Sequence, residues 1–111
     1  MKLTVNTQNK YSIIQFNIDQ VLGYEAQEFQ DAVLNSLEQN LDGIVVDLST
    51  VKFISSWGIG MLIHGLATTT NRGRKYKLSS LSGNVMDVFK KVKIDTVLEI
   101  YSDVQSAISK S

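Results

Sequence analysis

Gly43-Ile44-Val45-Val46-Asp47-Leu48-Ser49, followed by Val51-Lys52-Phe53-Ile54-Ser55-Ser56-Trp57-Gly58-Ile59-Gly60-Met61-Leu62, is the stretch that decides the fold. The run Ile44 to Leu48 is apolar and too brief for a helix, which suits a central strand covered on both faces. After it, two serines stand where a loop enters a helix, the residue type preferred at an N-cap. Ile59, Leu62, Ile63 and Leu66 then recur at helical spacing and give that helix an apolar face. A strand passing into a helix of this kind implies a right-handed crossover to a parallel neighbour.

Working outward, Leu3-Thr4-Val5 and the run Tyr11 to Ile18 are β-rich and separated by Gln8-Asn9-Lys10, a hairpin turn. Ile14, Phe16 and Ile18 alternate with Gln15 and Asn17, as in a half-buried strand. From Glu25 to about Asn40 the period becomes helical, with Ala26, Phe29, Val33 and Leu37 on one face. The helix that opens at Ser55-Ser56 runs to about Asn71 and closes at Arg72-Gly73. Lys75 to Leu78 is the next strand. Ser82 caps a third helix striped by Val85, Val88, Phe89 and Val92, Val97 to Tyr101 is a last strand, and Val104 to Ile108 forms a short final helix. The order is β-β-α-β-α-β-α-β-α. The reading is one α/β domain over residues 1–111, with a mixed, mostly parallel sheet of four to five strands and helices packed against it. Ile44, Val45, Val46 and Leu48 should be buried, and an aspartate at Val45 should find no partner there.

The 111 residues are 43% hydrophobic and 20% charged, ordinary values for a globular domain. Eleven basic residues balance eleven acidic ones, so net charge favours neither nucleic acid nor an anionic membrane. With no cysteine, thiol chemistry and zinc-thiolate sites are excluded. His64 is the one histidine, so a multi-histidine metal site within one chain is excluded too. Met1 to Val5 lacks the apolar stretch of a signal peptide, and no run approaches the ~20 apolar residues that span a bilayer. The expected location is cytoplasmic, without membrane insertion.

Enzyme motifs do not fit. A nucleophile elbow needs Gly-x-Ser-x-Gly; Ser56 has Ile54 before it, with Gly58 and Gly60 after. His64 lies eight residues further along the same helix, about 12 Å at ~1.5 Å per residue, too far to serve Ser56 as a base. Gly58-Ile59-Gly60 continues into Met61-Leu62-Ile63, neither a dinucleotide fingerprint nor a P-loop. Asp19, Asp42 and Asp47 are scattered near strand ends. No catalytic residue, metal, cofactor or small-molecule substrate is expected. For Ser56 two readings stand side by side: a plain helix cap, or a phosphoacceptor whose added charge would sit at the positive end of a helix.

At this segment the chain resembles the STAS family, the domain of bacterial anti-sigma-factor antagonists and of sulfate-transporter tails. The resemblance rests on Asp47-Leu48-Ser49, the link Val51 to Ile54, and Ser55-Ser56-Trp57-Gly58-Ile59-Gly60 at a helix start. It continues through Asn71-Arg72-Gly73, Tyr76-Lys77-Leu78, the helix Val85 to Val92, and Ile94 to Ile100. Ser55 stands where the family often has Asp, Trp57 where it has a small residue, and Leu22 where it has an acidic one. The resemblance implies a protein-binding module of partner-switching signalling and transcription regulation. It would be phosphorylated on the residue matching Ser56 (Ser55 is the second choice), and it would bind an anti-sigma factor that is also a serine kinase while unphosphorylated. A serine phosphatase would reverse the mark. The alternative is a constitutive STAS subunit of a signalling or lipid-transport complex. A third, more distant reading is a small enzyme or ligand carrier using the crevice at the C-terminal ends of the strands.

Helix geometry adds the surface. At 100° per residue Trp57, Met61, His64 and Thr68 fall opposite the apolar face, and tryptophan with methionine beside a switchable serine is the composition of a binding hot spot. Ser55, Ser56, Trp57, Gly58, Met61 and His64 are the expected partner-binding residues.

Overall fold

Asn9 and Lys10 both take positive φ, 48° and 68°. That is the backbone of a two-residue turn whose twist matches the strands it joins. It pairs β1 (Leu3–Gln8) antiparallel with β2 (Tyr11–Phe16), from Gln8 opposite Tyr11 to Leu3 opposite Phe16. The computed structural model describes residues 2–109.

The chain continues through β3 (Gln20–Val21), α1 (Ala26–Leu37), β4 (Gly43–Asp47), β5 (Phe53–Ile54) and α2 (Ser56–Asn71). It ends with β6 (Lys75–Ser79), α3 (Gly83–Lys91), β7 (Glu99–Tyr101) and α4 (Val104–Ser109). Five strands form one sheet in the order β1-β2-β4-β6-β7, parallel except for the β1 edge. The α/β reading with a mostly parallel sheet therefore holds. Beside it stands a miniature parallel pair, β3 with β5, that the sequence pattern does not disclose. Two residues per strand are too few for any period.

Three helices lie on one face. Phe29, Val33 and Leu37 of α1, Leu62 of α2, and Val85 and Phe89 of α3 share a core with Ile14, Phe16, Ile44, Val46 and Leu78. Ser82 caps α3 as expected, accepting from Val85 N–H at 3.2 Å. Val92 falls at the C-cap of α3 and is exposed, so the buried stripe there is shorter than its spacing suggests. Ala26 is exposed too, and the inner face of α1 begins at Phe29. Val97 precedes β7 and is also exposed.

The opposite face of the sheet is covered by α4, whose Ala107 and Ile108 pack on Tyr11, Ile13 and Val45. β2 is therefore buried on both faces and ends at Phe16, where its alternation suggested one wet face. Ser12, inside the sheet, is satisfied by a 2.7 Å hydrogen bond with Ser36 of α1. Lys77 of β6 is fully buried under α4. Its ammonium donates to the Ala107 carbonyl at 2.7 Å and lies 4.9 and 5.1 Å from the ring centroids of Tyr11 and Tyr101. Two π faces and a carbonyl near a helix C-terminus thus surround the ammonium.

Lys77 changes one expectation. It stands directly across from Val45 in the β4–β6 register, so an aspartate at Val45 would meet a cation. The neighbours of Val46 in register are Ile14 and Leu78, on the wholly apolar face. Val46→Asp is therefore expected to lose roughly 4 kcal/mol or more, enough to abolish folding of a marginally stable domain. Val45→Asp should be milder. Urea unfolding of both variants followed by circular dichroism checks the order, and equal losses would contradict this account of the two faces.

Candidate functional site

The loop from Leu48 to Ser55 is stitched to the segment after β2. Thr50 Oγ1 donates between the carbonyls of Phe16 and Ile18, at 2.8 and 2.9 Å. Lys52 and Phe53 N–H groups donate to the Asp19 carbonyl, and Ser55 N–H donates to the Val21 carbonyl at 3.0 Å. These bonds deliver the start of α2 to one place at the rim of the sheet, beside the loop Leu22-Gly23-Tyr24. Glu25 is buried at the start of α1, and its carboxylate accepts from Gly23 N–H at 3.3 Å.

The two serines divide the work. Ser55 is extended (φ −89°, ψ 172°) and its hydroxyl accepts from Gly58 N–H at 3.1 Å, so Ser55 is the N-cap. Ser56 is the first helical residue, exposed, and its hydroxyl makes no hydrogen bond among the described residues. The plain-cap reading of Ser56 thus passes to its neighbour.

The turn of α2 also differs from the wheel. Its buried line is Gly58, Met61, Leu62, Gly65 and Thr69, while Ile59, Ile63 and Leu66 flank it, partly buried. Met61, expected to face outward, is 7% exposed and joins the core. Gly58 is likewise buried, and a Cβ there would stand 2.6 Å from the Val21 carbonyl oxygen. Neither stands on the outward face of the helix. At Gly65 a Cβ would meet the Tyr76 hydroxyl at 2.8 Å and the Phe29 ring at 2.9 Å. That hydroxyl donates to the Leu62 carbonyl at 2.8 Å, and burial pushes its pKa well above the usual phenol value.

Trp57 and His64 do face out. Trp57 is 81% exposed, as is Tyr24 beside it at 83%. Gly23, at φ +101°, allows the close approach, since a Cβ there would lie 2.6 Å from Trp57 Cβ. Trp57 therefore stands exposed at the surface beside the loop. An open depression of about 470 Å³ is lined by Gly23, Ala26, Ser56, Trp57, Gly60, Met61 and His64, so Met61 touches the site from its floor. Tyr24 and the loop before α1 escaped sequence reasoning because only the tertiary fold brings them to Trp57. No group of three or more potential metal ligands occurs among the described residues. The arrangement offers a free hydroxyl beside a mostly apolar surface.

A family profile for the STAS domain matches residues 4–107. A STAS-domain anti-sigma-factor antagonist protein from Planctomyces limnophilus superposes with a TM-score of 0.85 at 22% identity, covering 96% of this chain and 95% of that one. An anti-sigma factor antagonist from Mycobacterium paratuberculosis gives 0.81 at 15%, over 96% and 90%. The Bacillus cell fate determinant SpoIIAA in its phosphorylated form gives 0.72 at 12%, over 97% of each chain. At these identities the likeness is one of fold.

Three substitutions separate the roles at the helix start. Ser55→Ala should cost about 1 kcal/mol through loss of the cap, while Ser56→Ala should stay within about 0.5 kcal/mol of the parent. Gly58→Ala should cost about 1–3 kcal/mol despite alanine's better helix propensity, because its methyl has no room against Val21. Urea denaturation midpoints measure all three. A Ser56→Ala loss larger than that of Ser55→Ala would reverse the assignment of the cap.

Proposed function

The chain belongs to the STAS domain family, and from that premise we propose that it is a protein-binding module whose contact surface is the exposed start of α2, switched by phosphorylation of Ser56. The observation that carries the reading is the division between the serines: Ser55 caps the helix and leaves the Ser56 hydroxyl exposed and unengaged. The fold likeness to anti-sigma factor antagonists, including one in a phosphorylated form, supports it.

In this reading a partner serine kinase, itself the anti-sigma factor, binds the unmodified surface. It transfers the terminal phosphoryl group of ATP to Ser56 Oγ; the hydroxyl proton is lost and ADP leaves. The phosphoryl group brings close to two negative charges. At the first turn of α2 they lie by unpaired backbone N–H groups and the positive end of the helix dipole, so the helix tolerates them. The partner meets a different situation. The face around Ser56, made of Trp57, Tyr24, Gly60 and the Met61 floor with only the His64 imidazole as a polar side chain beside Ser56, is mostly apolar, and burying the phosphate against it would cost desolvation. A phosphatase restores the neutral surface.

Reaction with the cognate kinase and ATP, followed by phosphopeptide mapping, should place the modification on Ser56; labelling confined to Ser55 or Thr50 would refute the assignment. On the binding side, Ser56→Asp should weaken kinase affinity tenfold or more, and Ser56→Ala should preserve it. Trp57→Ala should cost about 2 kcal/mol of binding with the melting temperature nearly unchanged, as an exposed hot-spot aromatic would. Calorimetric titration and thermal unfolding of the same samples read both quantities.

A further inference from the structure

α2 contains three glycines, and glycine inside a helix is less stable than alanine there. Two are forced by the fold: Gly58 lies against the Val21 carbonyl, and Gly65 lies against Tyr76 and Phe29. Gly60 is different. Apart from its chain neighbours and the backbone of its own helix, nothing lies within 4 Å of where its Cβ would stand, and it is exposed within α2. The fold gains nothing from leaving this position bare. What the missing side chain does is leave the depression beside Ser56 open down to the α2 backbone, with Trp57 and His64 on its walls and Met61 in its floor.

We propose that Gly60 is the socket of the partner interface, where one uncharged leucine- or phenylalanine-sized side chain of the protein partner seats on the bare backbone of α2 between Trp57, Met61 and His64. This rests on the reading that the start of α2 binds a protein. The chemistry of the occupant follows from the lining, which apart from the Ser56 hydroxyl and the His64 imidazole is glycine, alanine, methionine and tryptophan, so a charged group entering it would shed water against a mostly apolar wall. An apolar group entering it covers an exposed tryptophan face and glycine backbone, the central, desolvated kind of contact that dominates interfaces. Ser56 lies on the rim of the same depression, so a phosphate there would confront the apolar occupant directly.

The test has two readouts. Thermal unfolding of the purified chain needs no partner: Gly60→Ala should raise Tm by about 4 °C, as replacing an unneeded helical glycine does in a domain of this size. Gly60→Leu should not lower it. A fall in Tm for Gly60→Ala would show that the fold itself uses the glycine and would overturn the proposal. The second readout is the affinity of the purified kinase that phosphorylates Ser56. Gly60→Leu should weaken it tenfold or more while Tm is kept, with Gly60→Ala weaker in effect. Equal affinity for the parent and Gly60→Leu overturns the socket, and leaves the Ser56 reading intact if Ser56→Asp still weakens binding. If neither variant changes affinity, or the parent binds no kinase, both readings fall. Concentration-dependent dimerisation of the parent that Gly60→Leu abolishes would make the occupant a second copy, and the proposal would again be wrong.

Discussion

The carbonyl oxygen of Val21 is the point on which the start of α2 is hung. It accepts the Ser55 N–H at 3.0 Å and lies where any side chain at Gly58 would intrude. One oxygen thus fixes both the entry of the chain into α2 and the depth at which the first turn sits. A second point, the Tyr76 hydroxyl bonded to the Leu62 carbonyl under Gly65, fixes the helix about two turns later. Two close approaches of backbone determine a rod's rotation as well as its position. What faces outward at Ser56, Gly60 and His64 is therefore set by what must face inward at Gly58, Met61, Leu62 and Gly65.

That constraint explains which parts of the fold were legible in the sequence. The elements with a full period were readable: Ile44 to Leu48 as a two-sided strand, Phe29-Val33-Leu37 as a helix face, Ser82 as a cap. β3 and β5 were not, because their existence depends on the Leu48–Ser55 loop meeting residues 16–21 through backbone bonds, which leave no mark on side-chain pattern. β2 was misjudged for a related reason. Its partner on the second face is α4, a six-residue helix at the far end of the chain, and nothing local to Tyr11–Phe16 announces it. Lys77 belongs to the same face. A lysine in a strand is ordinarily read as a wet position, yet two tyrosines and the Ala107 carbonyl make it an interior one.

The candidate site was legible in its location and less so in its orientation. A helix wheel weights apolar residues, so it centred the buried face of α2 on Ile59, Leu62, Ile63 and Leu66. The observed centre lies about one residue back, a rotation of roughly 100°. Glycine carries no hydropathic weight, but it marks where a helix lies closest to its neighbour, and here Gly58 and Gly65 mark it better than the isoleucines do. Met61 consequently turned inward while Trp57 and His64 stayed out. Two serines in tandem gave no local reason to choose between them as cap; the choice depends on Val21 receiving the Ser55 N–H, a contact more than thirty residues away in sequence.

The same rigidity bears on how a covalent mark at this position would act. A switch can work by moving a bistable element or by changing a fixed surface. The start of α2 has little freedom for the first: its cap is made by Ser55, its depth is set at Gly58, and the adjoining loop is bonded at Asp19, Val21 and Gly23. A phosphoryl group on Ser56 would break none of these bonds, because the Ser56 hydroxyl takes part in none. Its effect would fall instead on the mostly apolar face shared by Trp57, Gly60 and Met61. On the proposed reading, a chain built this way would keep its structure through such a mark and carry it as a change of surface alone, so that discrimination between the two states would fall to whatever contacts the start of α2.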